Sequence, residues 1–337
     1  MADDYNLGMT LIITVVDKDR VVQVSDRRLT KPNGEVSTDK TNKAVCVGMG
    51  HVHFAASYTG LAFIGREKPE NRTDYWLLEH LGSIARDGEP SVEHICRSLC
   101  QQADRTLSRL RGDFKPLEVI LAGYDQKNRC FRATVSNMKV NDSGFVEVRD
   151  HFVSDVQWFY PWSPKPVIYV AGALPVFEAS DPTAKALKTS REKMVQYLKV
   201  NRGKLAEQQV ADALVWLTRA AHTHKDYGYL IGRDCLSVVA FPREPRRRGL
   251  LSYTVEYPAK RNKDTLFTSF YHPIAASSVF YAPHLADWYM DHMNVEADIA
   301  PELPEGTEQP SRRESGSAMA SRVRIKIHNL PSPPPDG

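Results

Sequence analysis

Met9-Thr10-Leu11-Ile12-Ile13-Thr14-Val15-Val16, then Asp17-Lys18-Asp19-Arg20, then Val21-Val22-Gln23-Val24-Ser25-Asp26 is the stretch whose reading decides the fold. Two β-branched runs around a four-residue polar turn specify a β-hairpin. An antiparallel pair lets Thr10, at the start of the first strand, face the region where Asp26-Arg27-Arg28 begins. Lys43 follows the polar stretch from Lys31 to Asn42 and enters another apolar run, Ala44 to Val47. Three successive strands can therefore bring Thr10, Asp26 and Lys43 together.

That combination has a definite chemical use. A threonine hydroxyl is a weak nucleophile until a base takes its proton, and an N-terminal α-amine, with an unperturbed pKa of about 7.7 to 8.0, is a suitable base. If the residues ahead of Thr10 are removed, one residue carries both nucleophile and base. A Lys43 cation beside the amine would favour its neutral form, and Asp26 would keep the lysine charged. Backbone N–H groups at glycine-rich strand ends could hold the oxyanion. A threonine, an acid and a lysine taken alone also fit a strand residue with nearby surface charges, so the set needs its surroundings.

Those surroundings resemble a proteasome β-type subunit or its simpler bacterial peptidase relatives, within the N-terminal nucleophile hydrolase superfamily. The run from Thr10 to Gly65 looks like the opening of that family, with Val24-Ser25-Asp26-Arg27-Arg28-Leu29-Thr30 spaced from Thr10 without a gap and the lysine slightly displaced. Leu117 to Asp125, ending in Gly123-Tyr124-Asp125, resembles the family's central strand, and Phe131 to Val135 its hairpin partner. Val167 to Ala173 takes the place of the strand that leads into a Gly-Ser-Gly turn, with Gly172-Ala173 where the serine would stand. The resemblance runs from residue 10 to 242.

The resemblance implies a four-layer αββα sandwich of the α+β class. It implies Thr10, Asp26 and Lys43 as catalytic residues, and Arg28, Thr30, Ala55 and Ser57 as substrate-binding ones. Asp226 matches the acid that the family carries before its last core strand; Tyr229 stands where a serine would follow, and Asp234 is the alternative acid. The activity implied is that of a threonine-type peptidase or amidase acting on a peptide or a small amide. The alternatives are a catalytically inactive structural or regulatory assembly protein and a small-amide hydrolase of the wider superfamily. A homo-oligomer, a ring among its forms, and an unfoldase or regulatory partner belong to the same set of expectations. No cofactor and no metal are expected.

Thr10 is internal as written. Residues 1–9 read as a short leader or a start-site extension, with no apolar stretch of signal-peptide length. Cleavage after Met9, with Gly8 ahead of it, would expose the amine; so would translation from Met9 followed by removal of that methionine.

The helical layers show in the periodicity. Residues 72–87 and 91–110 place Trp76, Leu77, Leu78 and Leu81, then Ile95, Leu99, Ala103 and Leu107, at helical spacing, with Gly88-Glu89-Pro90 between. A second pair is expected over 181–198 and 204–222, opened by Ser180-Asp181-Pro182, before a last core strand at 235–241. Helix pairs on opposite outer faces of two packed sheets complete the sandwich.

The 337 residues, 42% hydrophobic and 25% charged, suffice for one sizeable core plus an appendage. Residues 10–242 are expected as the core domain and 243–299 as an extension packing on it or on a neighbouring subunit. Within that extension, 250–257 and 265–270 could lengthen a sheet, and 280–293 carries an apolar cluster with Trp288 and Tyr289. Residues 300–337 are expected as a mostly flexible tail rich in proline, serine and glutamate, interrupted by an edge-strand pattern at 323–327.

Five scattered cysteines without a secretory signal suggest reduced thiols and a cytoplasmic location. Cys96 and Cys100 share a helix face, but no second pair with zinc-ligand spacing follows. His51 with His53 and His222 with His224 lack an acid cluster to complete a metal site. A formal charge of +3 gives no sign of a nucleic-acid protein; Arg246 to Arg248 and Arg312-Arg313 read as solvated linker charge. No stretch approaches a membrane span, and no glycine-rich nucleotide loop follows a strand.

Overall fold

The hairpin forms as β1 (Leu11–Asp17) and β2 (Arg20–Asp26), paired antiparallel with Ile12 opposite Ser25 and Thr14 opposite Gln23. Every residue of both strands is buried. A strand covered on both faces needs apolar residues throughout, so the usual alternation is lost. Alternation survives in what each side chain meets. Leu11, Ile13, Val15, Val22 and Val24 belong to a core with helices, whereas Ile12, Val16 and Val21 join residues of a second sheet.

The computed structural model describes residues 10–256 apart from 18, 31–34, 39–40, 42, 50–51, 65–67, 69–70, 87–89, 111–114, 141–145, 160–165, 173–176, 178–180, 202–203, 206 and 245–246, together with strands at 263–270 and 324–328. A two-stranded ribbon pairs β3 (Leu29–Thr30) with β4 (Val36–Thr38). The second sheet contains β5 (Ala44–Met49), β6 (Val52–Gly60), β7 (Leu117–Tyr124), β8 (Cys130–Val140) and β9 (Val146–Phe159), in that order and antiparallel throughout. The first sheet runs β10 (Val167–Gly172), β1, β2, β11 (Cys235–Glu244), β12 (Arg247–Glu256), β13 (Lys263–Phe270) and β14 (Arg324–His328).

Helices α1 (Thr73–Arg86) and α2 (Val92–Leu107) cover the outer face of the five-stranded sheet. Their Leu77, Leu81, Ile95, Leu99 and Ala103 pack with Val45, Phe54, Tyr58, Val119 and Phe131 of the strands. Helices α3 (Pro182–Val200) and α4 (Glu207–His222) cover the seven-stranded sheet in the same way, with Leu187, Leu198, Leu214 and Leu217 on Leu11, Ile13 and Val24. Their starts follow from local chemistry. Ser91 Oγ accepts the His94 N–H, and Asp181 Oδ1 accepts from Thr183 and Ala184 ahead of a helix that opens with Pro182. The architecture is the expected αββα sandwich, with both sheets inside.

One feature departs from the sequence reading. The 14-residue β9 is not anticipated. Among the described residues it is the edge strand beside β8, and residues such as Asp150, His151 and Asp155 face solvent, which dilutes its apolar signal. The first sheet continues past residue 242. β11 passes Pro242 with a register irregularity between Ala240 and Glu244, and Glu244 pairs with Arg247 of β12. Strands are present at both places where the sequence suggests an extension, and β14 ends the sheet. Residues 280–293 and 300–321 lie outside the described residues.

Candidate active site

Thr10 immediately precedes β1, Asp26 ends β2 and Lys43 immediately precedes β5, so the site lies where ends of both sheets meet. Lys43 Nζ donates to Thr10 Oγ1 at 2.7 Å and lies 3.4 Å from Asp26 Oδ1. It also donates to the Arg28 carbonyl. Thr10, Asp26 and Lys43 are exposed by 2%, 0% and 1%. A buried ammonium persists only where its hydrogens find acceptors, and this one meets a hydroxyl, a carboxylate and a carbonyl.

Asp26 ties the segments together through its other hydrogen bonds. Its Oδ2 accepts the Leu11 N–H at 2.7 Å, and its Oδ1 accepts those of Arg28 at 2.9 Å and Gly232 at 3.1 Å. Three backbone donors from three chain segments converge on one carboxylate, which is a charge-assisted anchor as well as a partner for Lys43. Gly232 is glycine because a Cβ there would lie 2.9 Å from Arg28 Cβ and 3.0 Å from Arg28 N. Arg27, fully buried beside Asp26, donates its Nε–H to the Thr41 carbonyl, and its own carbonyl accepts the Thr41 N–H. The loop carrying Lys43 is thereby held against the end of β2.

The layer between the sheets behind this cluster is polar as well. Gln23 donates to Thr14 Oγ1 at 3.2 Å and accepts from the Ser57 hydroxyl. Thr59, two residues further along β6, accepts the Thr10 N–H at 3.3 Å.

Of the residues that the sequence singles out, Thr10, Asp26, Lys43 and Arg28 come together. Arg28 takes part through its backbone, while its guanidinium donates to the Tyr229 carbonyl at 2.8 Å. Thr30 is buried on β3, and its hydroxyl has no hydrogen-bond partner among the described residues. Ala55 and Ser57 are wholly buried on β6, and the Ser57 hydroxyl is committed to Gln23 across the sheets, so neither presents a wall to solvent. Asp226 stands apart from the cluster in its contacts. Its carboxylate is 57% exposed and lies 3.9 Å from Lys225, and among the described residues it makes no hydrogen bond to Thr10, Lys43 or Asp26. Asp234 contributes its carbonyl, which accepts the Arg27 N–H at 3.0 Å.

His222 and His224 have separate tasks, and His51 lies outside the described residues. His222 Nδ1 meets the carbonyls of Gly228 and Ile231, and His224 Nε2 meets Asp181 at 2.9 Å. No group of three metal-ligating side chains occurs among the described residues. Burial pushes the Cys96 and Cys130 thiols up to about 12, and raises Cys235 further with help from the Asp26 charge. Such thiols are protonated at neutral pH and make poor nucleophiles.

Sequence reasoning does not reach Thr59 or the three N–H groups on Asp26. Backbone donors carry no residue signature, and Thr59 is distinguishable only by the β6 alternation that turns Ser57 and Thr59 to one face and Phe54, Ala56 and Tyr58 to the other.

No protein-family model matches the chain, and no curated protein matches it. Among solved structures, a mutant of Anbu from Hyphomicrobium sp. strain MC1 is similar over 69% of this chain and 82% of that one, at 10% identity and a TM-score of 0.43. The helical assembly of the Anbu complex from Pseudomonas aeruginosa is similar over 68% of this chain and 81% of that one, at 13% identity and a TM-score of 0.42.

Proposed function

We propose that this chain hydrolyses amide bonds with the Thr10 hydroxyl as nucleophile, in a form whose first residue is Thr10. The observation that carries the reading is the buried contact from Lys43 Nζ to Thr10 Oγ1, with Asp26 behind the lysine. A strand threonine needs no such partner, whereas a nucleophile does.

In the reaction, the free α-amine of Thr10 takes the hydroxyl proton as Oγ1 attacks the carbonyl carbon. Lys43 donates to Oγ1 and stabilises its developing negative charge, and its cation disfavours a second positive charge on the amine until the proton arrives. Asp26 keeps Lys43 charged and fixes the segments that carry both partners. The amine then passes its proton to the leaving nitrogen, the C–N bond breaks, and an ester to Thr10 remains. Water, deprotonated by the same amine, attacks the ester and restores the hydroxyl. The substrate is a peptide or a small amide. The protein is cytoplasmic and works as a homo-oligomer; Tyr197, Val200 and Trp216 stand exposed on the outer helices α3 and α4, as an interface would require.

A second reading, an assembly protein without turnover, is favoured by the 2% exposure of Thr10 in the full chain. A hydroxyl that substrate cannot reach, in a fully hydrogen-bonded ionic cluster, serves to pin two sheets. One experiment separates the readings: turnover of short peptide amides by chains beginning at Met1 and at Thr10, each with its Thr10→Ala counterpart. Turnover confined to the Thr10-terminated chain supports the hydrolase; no turnover by either supports the assembly protein.

A further inference from the structure

We propose that Thr59 is the positioning residue for the Thr10 nitrogen, an inference that rests on the hydrolase reading above. Thr59 is the penultimate residue of β6, is 2% exposed, and comes from the sheet opposite the one that Thr10 opens. Its hydroxyl oxygen accepts the Thr10 N–H at 3.3 Å across a separation of 49 residues.

The same strand neighbourhood supplies Lys43. The Lys43 carbonyl accepts the Tyr58 N–H, so the residue before β5 and the end of β6 run side by side. Lys43 thus takes the hydroxyl of Thr10 and Thr59 takes its nitrogen, one partner for each reacting atom. On the other flank the chain can offer no side chain. Gly172, opposite Leu11 on β10, has φ +82°, and a Cβ there would lie 1.6 Å from the Thr10 carbonyl oxygen and 3.0 Å from Thr59 Oγ1.

For the amine to act as a base, its lone pair must face the hydroxyl of its own side chain. A hydrogen bond from one amine hydrogen to Thr59 fixes rotation about the N–Cα bond and leaves the lone pair directed elsewhere. After proton uptake the ammonium still donates to Thr59, and more strongly. Thr59 therefore favours the protonated amine, against the effect of Lys43. The charged groups around this pair are Lys43 with Asp26 at the Thr10 side chain, and Glu118, which lies opposite Thr59 in the β6–β7 ladder with Arg132 as its charged neighbour.

The test uses the full chain terminated at Thr10, with Thr59→Val, Thr59→Ser and Thr10→Ala, and a short peptide amide as substrate. Thr59→Val is expected to lower kcat about tenfold or more with KM nearly unchanged, and to move the acid limb of the kcat/KM profile to lower pH. Thr59→Ser, which keeps the hydroxyl, is expected to restore both; if Thr59→Val does not fold, Thr59→Ala replaces it. The Thr10 amine is also titrated directly by NMR of 13C-threonine-labelled chain, a readout independent of turnover. There Thr59→Val should lower the amine pKa. Wild-type kcat together with an unchanged amine pKa in Thr59→Val overturns the role of Thr59 while an inactive Thr10→Ala leaves the hydrolase standing. Full activity in Thr10→Ala overturns the hydrolase reading itself. If no chain turns substrate over, the amine titration alone decides for or against Thr59.

Discussion

Lys43 Nζ and Thr10 Oγ1 lie 2.7 Å apart although 33 residues separate them and they precede strands of different sheets. Each sheet end brings a polar group into the interior. Their contact satisfies both groups, with Asp26 completing the charge balance.

Thr10→Ala is expected to abolish turnover, and Lys43→Ala to lower it by about 10²- to 10⁴-fold, the range of a lost proton-transfer or charge-stabilising group. Both variants should stay folded, because Asp26 keeps its three backbone donors. Steady-state kinetics beside near-ultraviolet circular dichroism check this; wild-type rates in folded Thr10→Ala would reject the assignment.

Asp26→Ala should behave differently. It removes the acceptor of the Leu11, Arg28 and Gly232 N–H groups and leaves Lys43 buried with one partner fewer. A loss of about 3 kcal/mol or more is expected in urea unfolding, against a smaller loss for Asp26→Asn, which retains an acceptor oxygen. Equal midpoints for Asp26→Ala and wild type would contradict the anchor.

Gly172→Ala places a Cβ against the Thr10 carbonyl at a backbone angle that L-residues rarely adopt. Strain alone costs about 1–3 kcal/mol, and the overlap forces β10 away from β1. Thermal unfolding should show the loss, and turnover should fall with it. A neutral Gly172→Ala would mean that β10 approaches Thr10 less closely.

Glu118 gives a prediction with a definite pH sign. Burial raises its carboxyl pKa, and Arg132 opposes this in part. The folded chain therefore holds this proton where the unfolded chain has lost it. That stabilisation is complete below the unfolded value and disappears as pH rises through the raised folded value. Glu118→Gln should accordingly gain about 2–4 °C in Tm at neutral pH and lose the advantage below about pH 4. An advantage independent of pH would assign the effect to packing.

The exposed Trp216 tests self-association. Wild-type protein should scatter light as an oligomer at micromolar concentration, and Trp216→Glu should shift it toward monomer. A wild-type monomer across the concentration range would count against an oligomer.

Much of this arrangement is legible in the sequence because its signals are local. The hairpin is fixed by two apolar runs and a polar turn, and α2 by Ile95, Leu99, Ala103 and Leu107 after the Ser91 cap. The hairpin brings Thr10 and Asp26 to one end of the first sheet, whereas Lys43 joins them through the packing of the second sheet, which strand patterns alone do not convey. Asp226 is drawn to the site by its place before β11, yet the intervening turn leaves its carboxylate in solvent beside Lys225. Ser57 looks like a pocket residue from its position, but its hydroxyl faces Gln23 between the sheets. What sequence does not convey is which face of β6 meets β1, and that face selects Thr59.

Intact-mass analysis of the species that turns over a peptide amide tests the central claim most directly. The hydrolase account predicts that the active chain begins at Thr10 and that acylation by a β-lactone adds one adduct, located at Thr10 by peptide mapping. An active chain that begins before Thr10, or an adduct on any other residue, would contradict it.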